Sequence, residues 1–252
     1  MFDTLQTFIA PRLRSFLKLL SIGHFHKKRI VFFSYFGAQY SCNPKYISEY
    51  MQERHPDFEI IWAFKSPQNF SYLHDKGIKT VKYLHPYFLH VCLTSKFIVT
   101  NSEIPAWFPI MKRQVYINTW HGGGAYKRVG AAYQKETPGK QIRAEIAREV
   151  PCTYVSSSNA FTELTIHQSF HHDGTILSCG MPRNDMLFNN DHPELHDKIT
   201  SLQRQRSFYT PLLIGNQKRL LIIYSTARQF NLLFQKNLAA TGLFYSVHTT
   251  LL

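Results

Sequence analysis

Apolar runs of strand length recur along the chain and alternate with amphipathic or polar stretches. The first, Arg29–Phe36, is continuously apolar, which is typical of a strand covered on both faces. Similar runs follow at Phe58–Phe64, Lys79–Tyr83, Lys96–Ser102, Gln114–Trp120, Thr153–Ser158 and Thr175–Gly180. Helical stretches are expected between them, at Lys45–Arg54, Ser66–Gly77 and His85–Ser95. This alternation predicts an α/β fold, a Rossmann-like doubly wound parallel sheet.

A separate amphipathic, basic helix is predicted over residues 1–28, kinked at Pro11. Its apolar positions recur at three-four spacing, and charged residues occupy the other faces. Those charges interrupt the apolar core that a signal peptide needs, and no apolar run is long enough to span a membrane. Such a helix lies either on an anionic membrane surface or on the protein's own domain, and the basic segment His26–Arg29 favours the membrane.

Composition changes this picture mainly through charge. The chain has 252 residues, of which 44% are hydrophobic and 18% charged, so it is a globular protein rather than a disordered one. Twenty-nine Lys and Arg residues against 16 Asp and Glu residues give a formal net charge of +13. This excess predicts attraction to nucleic acid, anionic lipid or polyphosphorylated substrates, and by itself it does not choose among them.

The cysteines and histidines point away from metal binding. Four cysteines are scattered without a CxxC pair, which favours reduced thiols in a cytoplasmic setting. The close histidine pairs, His24 with His26 and His171 with His172, have neither a nearby cysteine nor the spacing of a helical metal site. We expect no metal and no cofactor.

The segment from Val115 to Gly130, VYINTWHGGGAYKRVG, carries the strongest chemical signal. His121 follows a strand and precedes Gly122, Gly123 and Gly124, whose backbone N–H groups can approach an anion closely. A helix beginning near Ala125 would add its positive dipole end, and Lys127 and Arg128 can neutralise phosphate. His121 suits the role of a base for an attacking hydroxyl. The alternative is a tight glycine turn with a structural histidine and two solvated cations.

Two later loops offer weaker candidates. In Ser178–Asp185, SCGMPRND, a strand ends at Gly180, and Arg183 is left at its terminus as an anion contact. Asn184 is a further substrate-binding candidate, and either it or Asp185 is expected to cap the next helix. The alternative is a capping loop with an exposed arginine. In Tyr154–Phe170, Ser158 or Asn159 is expected to cap a helix, and no chemistry is predicted there.

Together these motifs resemble the CDP-glycerol glycerophosphotransferases, which include the teichoic acid primases and polymerases. The resemblance rests on four motifs in the family's order, at residues 31–51 with their Asn-Pro-Lys-Tyr helix entry, 93–102, 116–130 and 156–185. It covers roughly residues 29–190 and is far more specific than any one motif.

The resemblance implies the amino-terminal half of a GT-B glycosyltransferase fold, with an acceptor-binding domain over 29–215. It implies transfer of glycerol phosphate from CDP-glycerol, or a similar CDP-polyol, to a lipid-linked polyprenyl-diphosphate acceptor. The family works at the cytoplasmic face of the bacterial cell membrane, which fits the basic surface and the amphipathic start. Its motif histidine, the general base, falls on His121.

This sequence departs from the family in two places. Many relatives have His-Gly-Thr-Pro where this chain has His121–Gly124. Residues 218–230 resemble the first strand of the family's donor-binding domain, so 216–252 is predicted to be the start of a truncated second domain. A nucleotide-binding half needs well over a hundred residues, and we therefore expect little transferase activity from this polypeptide alone.

Two other functions remain as alternatives. One is another GT-B glycosyltransferase that uses a nucleotide sugar. The other is a non-catalytic basic protein that binds membranes or nucleic acid, although the basic residues are dispersed and no nucleic-acid motif is present, so nucleic acid is not an expected partner.

Overall fold

The computed structural model describes residues 12–19, 21, 24–105, 107–124, 129–130 and 151–187. The chain divides into a compact unit of residues 1–184 and a second unit of residues 185–252, of which only 185–187 are described. The predicted domain boundary after residue 215 and the predicted donor-domain segment lie outside the described residues, so they stay predictions.

The first unit is built on a seven-stranded sheet in which every adjacent pair of strands is parallel. The spatial order is β3-β2-β1-β4-β5-β6-β7. In chain order the main elements are β1 His26–Phe33, α1 Cys42–Arg54, β2 Glu59–Phe64, β3 Lys79–Lys82, α2 Pro86–Thr94, β4 Ser95–Thr100, β5 Val115–Asn118, β6 Thr153–Ser156 and β7 Ile176–Ser178. This sheet confirms the predicted Rossmann-like α/β fold.

The central strands hold together because their side chains are buried on both faces. In β1 the run from Ile30 to Phe33 is almost wholly inaccessible to solvent. Phe32 pairs in register with Trp62 of β2, and their rings stack with centroids 5.6 Å apart. Trp62 also stacks on Phe64 at 5.6 Å, and its indole N–H donates to Ser48 of α1. The stacked rings hold β1 and β2 together, and the hydrogen bond from Trp62 to Ser48 ties α1 to the sheet.

The helices differ more from expectation than the strands do. α1 begins at Cys42, three residues before the predicted start, and Pro67–Lys76 forms a 3-10 helix. The predicted cap at Ser158 is confirmed, since its side chain accepts a hydrogen bond from the Phe161 N–H. The predicted cap at Asn184 or Asp185 is wrong, because a 3-10 helix already begins at Pro182 and contains both residues.

At the amino-terminal end, residues 12–19 are helical. Leu17 is buried there, whereas Phe16 and Leu19 are 58% and 68% exposed. Within the part of the chain that the structure describes, no helix is long and apolar enough to cross a membrane.

The strand order determines where a ligand can bind. The chain moves outward from β1 through β2 to β3 and then returns to the other side of β1 with β4. In such sheets the loops leaving the two strands on either side of this reversal separate and open a crevice at their carboxyl ends. The loops after β1 and β4 therefore border the expected binding crevice, and the loop after β5 is next to them.

Candidate active site at the carboxyl edge of the sheet

His121 lies just beyond β5 and is held by a backbone carbonyl group. Its Nδ1 is 2.8 Å from the carbonyl oxygen of Asn101, which follows β4. Because a carbonyl oxygen only accepts hydrogen bonds, this contact places the ring hydrogen on Nδ1 and leaves Nε2 as the proton acceptor. The ring stacks on Trp120 with centroids 4.5 Å apart and lies 5.6 Å from the ring of Tyr35. The orientation of the imidazole is thus fixed on three sides.

Asn101 also ties the loop after β1 to the loop after β4. Its Oδ1 accepts a 2.8 Å hydrogen bond from the backbone N–H of Tyr35. The adjacent Phe36 N–H is 3.4 Å from Ser102 Oγ. Tyr35 and Phe36 both have positive φ, 47° and 55°, a conformation that costs a non-glycine residue of order 1 kcal/mol or more. The two loops bordering the crevice are therefore held in one arrangement by side-chain hydrogen bonds.

Asn43, in the first turn of α1, joins the loops after β5 and β7 through one buried amide. Its Nδ2 is 3.4 Å from the carbonyl of Thr119, 3.2 Å from that of Trp120 and 3.2 Å from Met181 Sδ. Its Oδ1 accepts a 3.2 Å hydrogen bond from the backbone N–H of Arg183. Asn43 is completely buried, so these contacts take the place of hydrogen bonds that the amide would make to water.

Arg183, which follows β7, reaches back to the histidine loop. Its Nη1 donates to the carbonyl oxygen of His121 at 2.9 Å and contacts Cys42 Sγ at 3.2 Å. Among the described residues no carboxylate pairs with this guanidinium. Arg183 therefore places positive charge beside His121, where an anionic substrate group would be stabilised.

Two glycines after His121 are not required by the packing of the described residues around them. Among those residues, a Cβ on Gly122 would approach no atom closer than 3.5 Å, at Trp120, and one on Gly123 would meet only Ser157 Oγ at 4.0 Å. Ser157 Oγ donates to the carbonyl of Gly123 at 2.8 Å and so anchors the loop. The described part of the chain thus leaves space beside these two glycines, which suits the close approach of a ligand.

Thus the structure places Arg183 beside His121 and the glycine run Gly122–Gly124, which are candidate site residues from the sequence, and their roles stay predictions. Asn184 is adjacent to Arg183 in the chain, and its backbone N–H donates to the Met181 carbonyl at 2.8 Å. That bond belongs to the helical turn and assigns no ligand contact to Asn184.

Lys127 and Arg128, and the helix expected to begin near Ala125, lie outside the described residues. Their predicted contact with phosphate stays a prediction.

Sequence reasoning missed the thiol at the start of α1. Burial favours the neutral form of Cys42, yet the nearby amide of Asn101, the Asn43 N–H and the Tyr35 hydroxyl, together with the charge of Arg183, outweigh it and hold the pKa of the thiol below its ordinary value. Burial and the contact with Cys42 raise the pKa of Tyr35 to about 12. The only sequence signal for this cluster was its position after strand ends, which Asn101 shares with many polar loop residues.

Comparison with known proteins gives this site a context. The family model described as CDP-Glycerol:Poly(glycerophosphate) glycerophosphotransferase matches residues 15–210. The chain is 30% identical over 179 residues to a teichoic acid poly(glycerol phosphate) polymerase of Bacillus subtilis. The aligned region covers 69% of this chain and 24% of that protein. It is 28% identical over 196 residues to a teichoic acid glycerol-phosphate transferase of Staphylococcus aureus, covering 73% and 48%. The chain therefore spans less than half the length of these curated relatives.

Solved structures of a teichoic acid polymerase also match this chain. A structure of the wall teichoic acid polymerase TagF soaked with CDPG superposes with a TM-score of 0.61 at 27% identity, covering 79% of this chain and 52% of that one. The TagF structures have the GT-B architecture, and the sheet described above corresponds to the first half of that fold. By its motifs, its fold and the match over residues 15–210, the chain belongs to the CDP-glycerol:poly(glycerophosphate) glycerophosphotransferase family.

Proposed function

We propose that this chain provides the acceptor-side half of a transferase that moves glycerol phosphate, or a related polyol phosphate, from CDP-glycerol to a lipid-linked acceptor in teichoic acid synthesis. The observation that carries the proposal is the hydrogen bond between His121 Nδ1 and the Asn101 carbonyl, which leaves Nε2 as a base. Membership in the family supports CDP-glycerol as the donor and poly(glycerol phosphate) as the polymer.

In the proposed reaction, an acceptor hydroxyl approaches His121. As its oxygen attacks the phosphorus that bears glycerol, its proton passes to Nε2, the new P–O bond forms in line with the breaking one, and CMP leaves. Arg183 stabilises the negative charge on the phosphate oxygens, together with Lys127 and Arg128. The open space at Gly122 and Gly123 admits the phosphate close to the backbone.

We further propose that the protein works at the cytoplasmic face of the cell membrane as a peripheral protein. The exposed apolar side chains of Phe16 and Leu19 lie on the same helical segment as the cations Arg12 and Lys18. The net charge of +13 adds attraction to anionic lipid. Sedimentation with anionic vesicles, against zwitterionic vesicles and duplex DNA, separates this location from the nucleic-acid alternative.

The base assignment is tested in a full-length relative, since this chain spans only part of its relatives. The histidine aligned with His121 is replaced by alanine and, separately, by asparagine, and transfer of radiolabelled glycerol phosphate from CDP-glycerol is measured. The asparagine amide can still donate a hydrogen bond to the carbonyl group aligned with that of Asn101, but it cannot take a proton. Loss of a general base lowers the rate by roughly 10²–10⁴ in both variants.

Near-normal transfer by the asparagine variant would show that the histidine only positions the loop. Offering UDP-sugars beside CDP-glycerol in the same assay tests the alternative of a nucleotide-sugar transferase, which predicts that the UDP-sugar is consumed.

A further inference from the structure

The sulfur atom of Cys42 lies where hydrogen-bond donors from four parts of the chain meet. Cys42 is the first residue of α1, in a left-handed conformation with φ of 62°. Arg183 Nη1 is 3.2 Å from the sulfur, and the Asn43 N–H and the Tyr35 hydroxyl also donate to it. These donors come from the loops after β1 and β7 and from the amino end of a 13-residue helix.

The side chain of Asn101 adds a second, independent feature beside the Cys42 sulfur. Asn101 is completely buried, and among the described residues its Nδ2 has no hydrogen-bond partner of ordinary geometry. The group that it faces is the Cys42 sulfur. A buried N–H group without an acceptor is costly, and a thiolate, which is larger and more strongly accepting than a neutral thiol, would satisfy it.

The electrostatic surroundings favour the same ionised form. The titratable and charged groups facing the sulfur are Tyr35, Tyr46 and Arg183, of which only the guanidinium is charged at neutral pH. The positive end of the α1 dipole adds to the charge of Arg183. By contrast, burial raises the pKa of the thiols of Cys92 and Cys152, and no cation in the described part of the chain opposes it.

We propose that Cys42 is a reactive thiolate, open to modification by low-molecular-weight disulfides and thiosulfonates, and that this modification inactivates the neighbouring site. The residue keeps only 9% of its surface exposed, so a small reagent is the suitable probe. The second half of the proposal rests on the proposed function, whereas the reactivity of the thiolate does not.

The chemistry is a thiol–disulfide exchange. The Cys42 thiolate attacks one sulfur of the reagent, a new S–S bond forms as the old one breaks, and the displaced sulfur leaves as a thiolate or a sulfinate. The Cys42 sulfur is oxidised and the leaving sulfur is reduced. The product is uncharged, so Arg183 loses its anionic partner, and the added group displaces the guanidinium that also holds the His121 carbonyl.

The test uses the whole 252-residue chain and methyl methanethiosulfonate, a small neutral probe. After brief exposure to a limiting amount at pH 7, the chain is digested and the methylthio content of all four cysteines is measured by mass spectrometry. We expect Cys42 to react at least about tenfold faster than Cys92 and Cys152, since only the thiolate is nucleophilic. The variant Cys42→Ser should lose the fast reaction.

A cation series then identifies the cause. Arg183→Met should slow the labelling of Cys42 about tenfold at pH 7 and move the midpoint of its pH profile upward, because the thiolate fraction falls. Arg183→Lys should lie between this variant and the parent chain. Arg113→Met removes a cation that lies over Phe25, away from the sulfur, and should change nothing.

Equal labelling of Cys42 and Cys92 in the parent chain would overturn the proposal, as would a Cys42 rate unaffected by both substitutions of Arg183. If Arg183→Met unfolds the chain, all four cysteines react alike, and the lysine variant decides. The labelling needs no transferase activity, so its failure is distinct from failure of the proposed function.

Discussion

At the amino end of the sheet, Arg29 and Lys79 share the carboxylate of Glu59, whereas at the carboxyl end Arg183 contacts a carbonyl oxygen and a thiol sulfur. The strands are the same, but their two ends use cations differently. At the amino end each cation of this cluster has an acidic partner within the chain, although the two cations share one carboxylate. At the carboxyl end the positive charge has no carboxylate partner among the described residues, so it acts on the Cys42 sulfur and on an anionic ligand.

The uncharged polar groups differ as well. The carboxyl end buries the amides of Asn43, Asn101 and Asn118, which bind backbone groups of neighbouring loops. At the amino end the described residues include one buried amide of this kind, that of Gln114, which donates to the carbonyl groups of Cys92 and Ser95. Buried amides specify one loop arrangement and are costly when broken, whereas partly exposed ion pairs are weaker. Substitutions should therefore cost most at the carboxyl end.

The largest effect is expected for Asn43→Ala. The change removes the amide that serves two carbonyl groups and the Arg183 N–H, and it leaves these buried groups unsatisfied. We expect the free energy of unfolding to fall by about 2–4 kcal/mol, measured by urea denaturation.

The matched control is Asn69→Ala, the same change at an exposed position. It should stay within about 0.5 kcal/mol of the parent chain. If the two variants are equally stable, the amide of Asn43 does not hold the loops together.

The strands and the histidine loop were predictable because both depend on residues that are close together in the chain. A run such as Ile30–Phe33 needs no partner to be recognised as a buried strand, and a histidine followed by glycines directly after a strand predicts a ligand loop. The seven predicted strands are all present. Local pattern also sufficed for the Ser158 cap, whose acceptor and donor are three residues apart.

The network around Asn43 was not predictable, because its partners lie 76 to 140 positions away in the chain. The left-handed conformation of Tyr35 has the same cause. Local preference disfavours it, and it persists because Asn101 Oδ1, 66 positions away, accepts a hydrogen bond from its N–H group. The thiolate environment of Cys42 likewise exists only when the loops after β1, β4 and β7 meet at the start of α1.

A smaller effect is expected at the amino end for Glu59→Gln. The carboxylate accepts hydrogen bonds from Arg29 Nε at 2.5 Å and Lys79 Nζ at 2.7 Å, and both the carboxylate and the Arg29 side chain are partly buried. Removing its charge should lower the free energy of unfolding by about 1 kcal/mol at pH 7, because the pair is partly screened by water.

The pH dependence has a definite sign. Burial favours the neutral carboxyl group, yet Arg29 and Lys79 outweigh it and hold the pKa of Glu59 below its ordinary 4.5. The stabilisation is therefore complete above about pH 4.5 and is lost as the pH falls through the folded-state pKa. The stability difference between the parent chain and Glu59→Gln should shrink between pH 5 and 3, and a difference that is constant over that range would contradict the ion-pair account.

The smallest effect is expected for Lys28→Gln, which breaks the 2.6 Å contact between Lys28 Nζ and Asp57 Oδ2. The two side chains are 45% and 52% exposed, so water and salt screen the pair on most sides. We expect a loss of no more than about 0.5 kcal/mol in low salt, and none near 1 M salt, where charges are screened within about 3 Å. The double variant with Asp57→Asn should lose no more than Lys28→Gln alone. A loss above 1 kcal/mol that persists in high salt would mean that the exposed amino end stabilises the sheet as strongly as the buried amides of the carboxyl end, and the contrast between the two ends would fail.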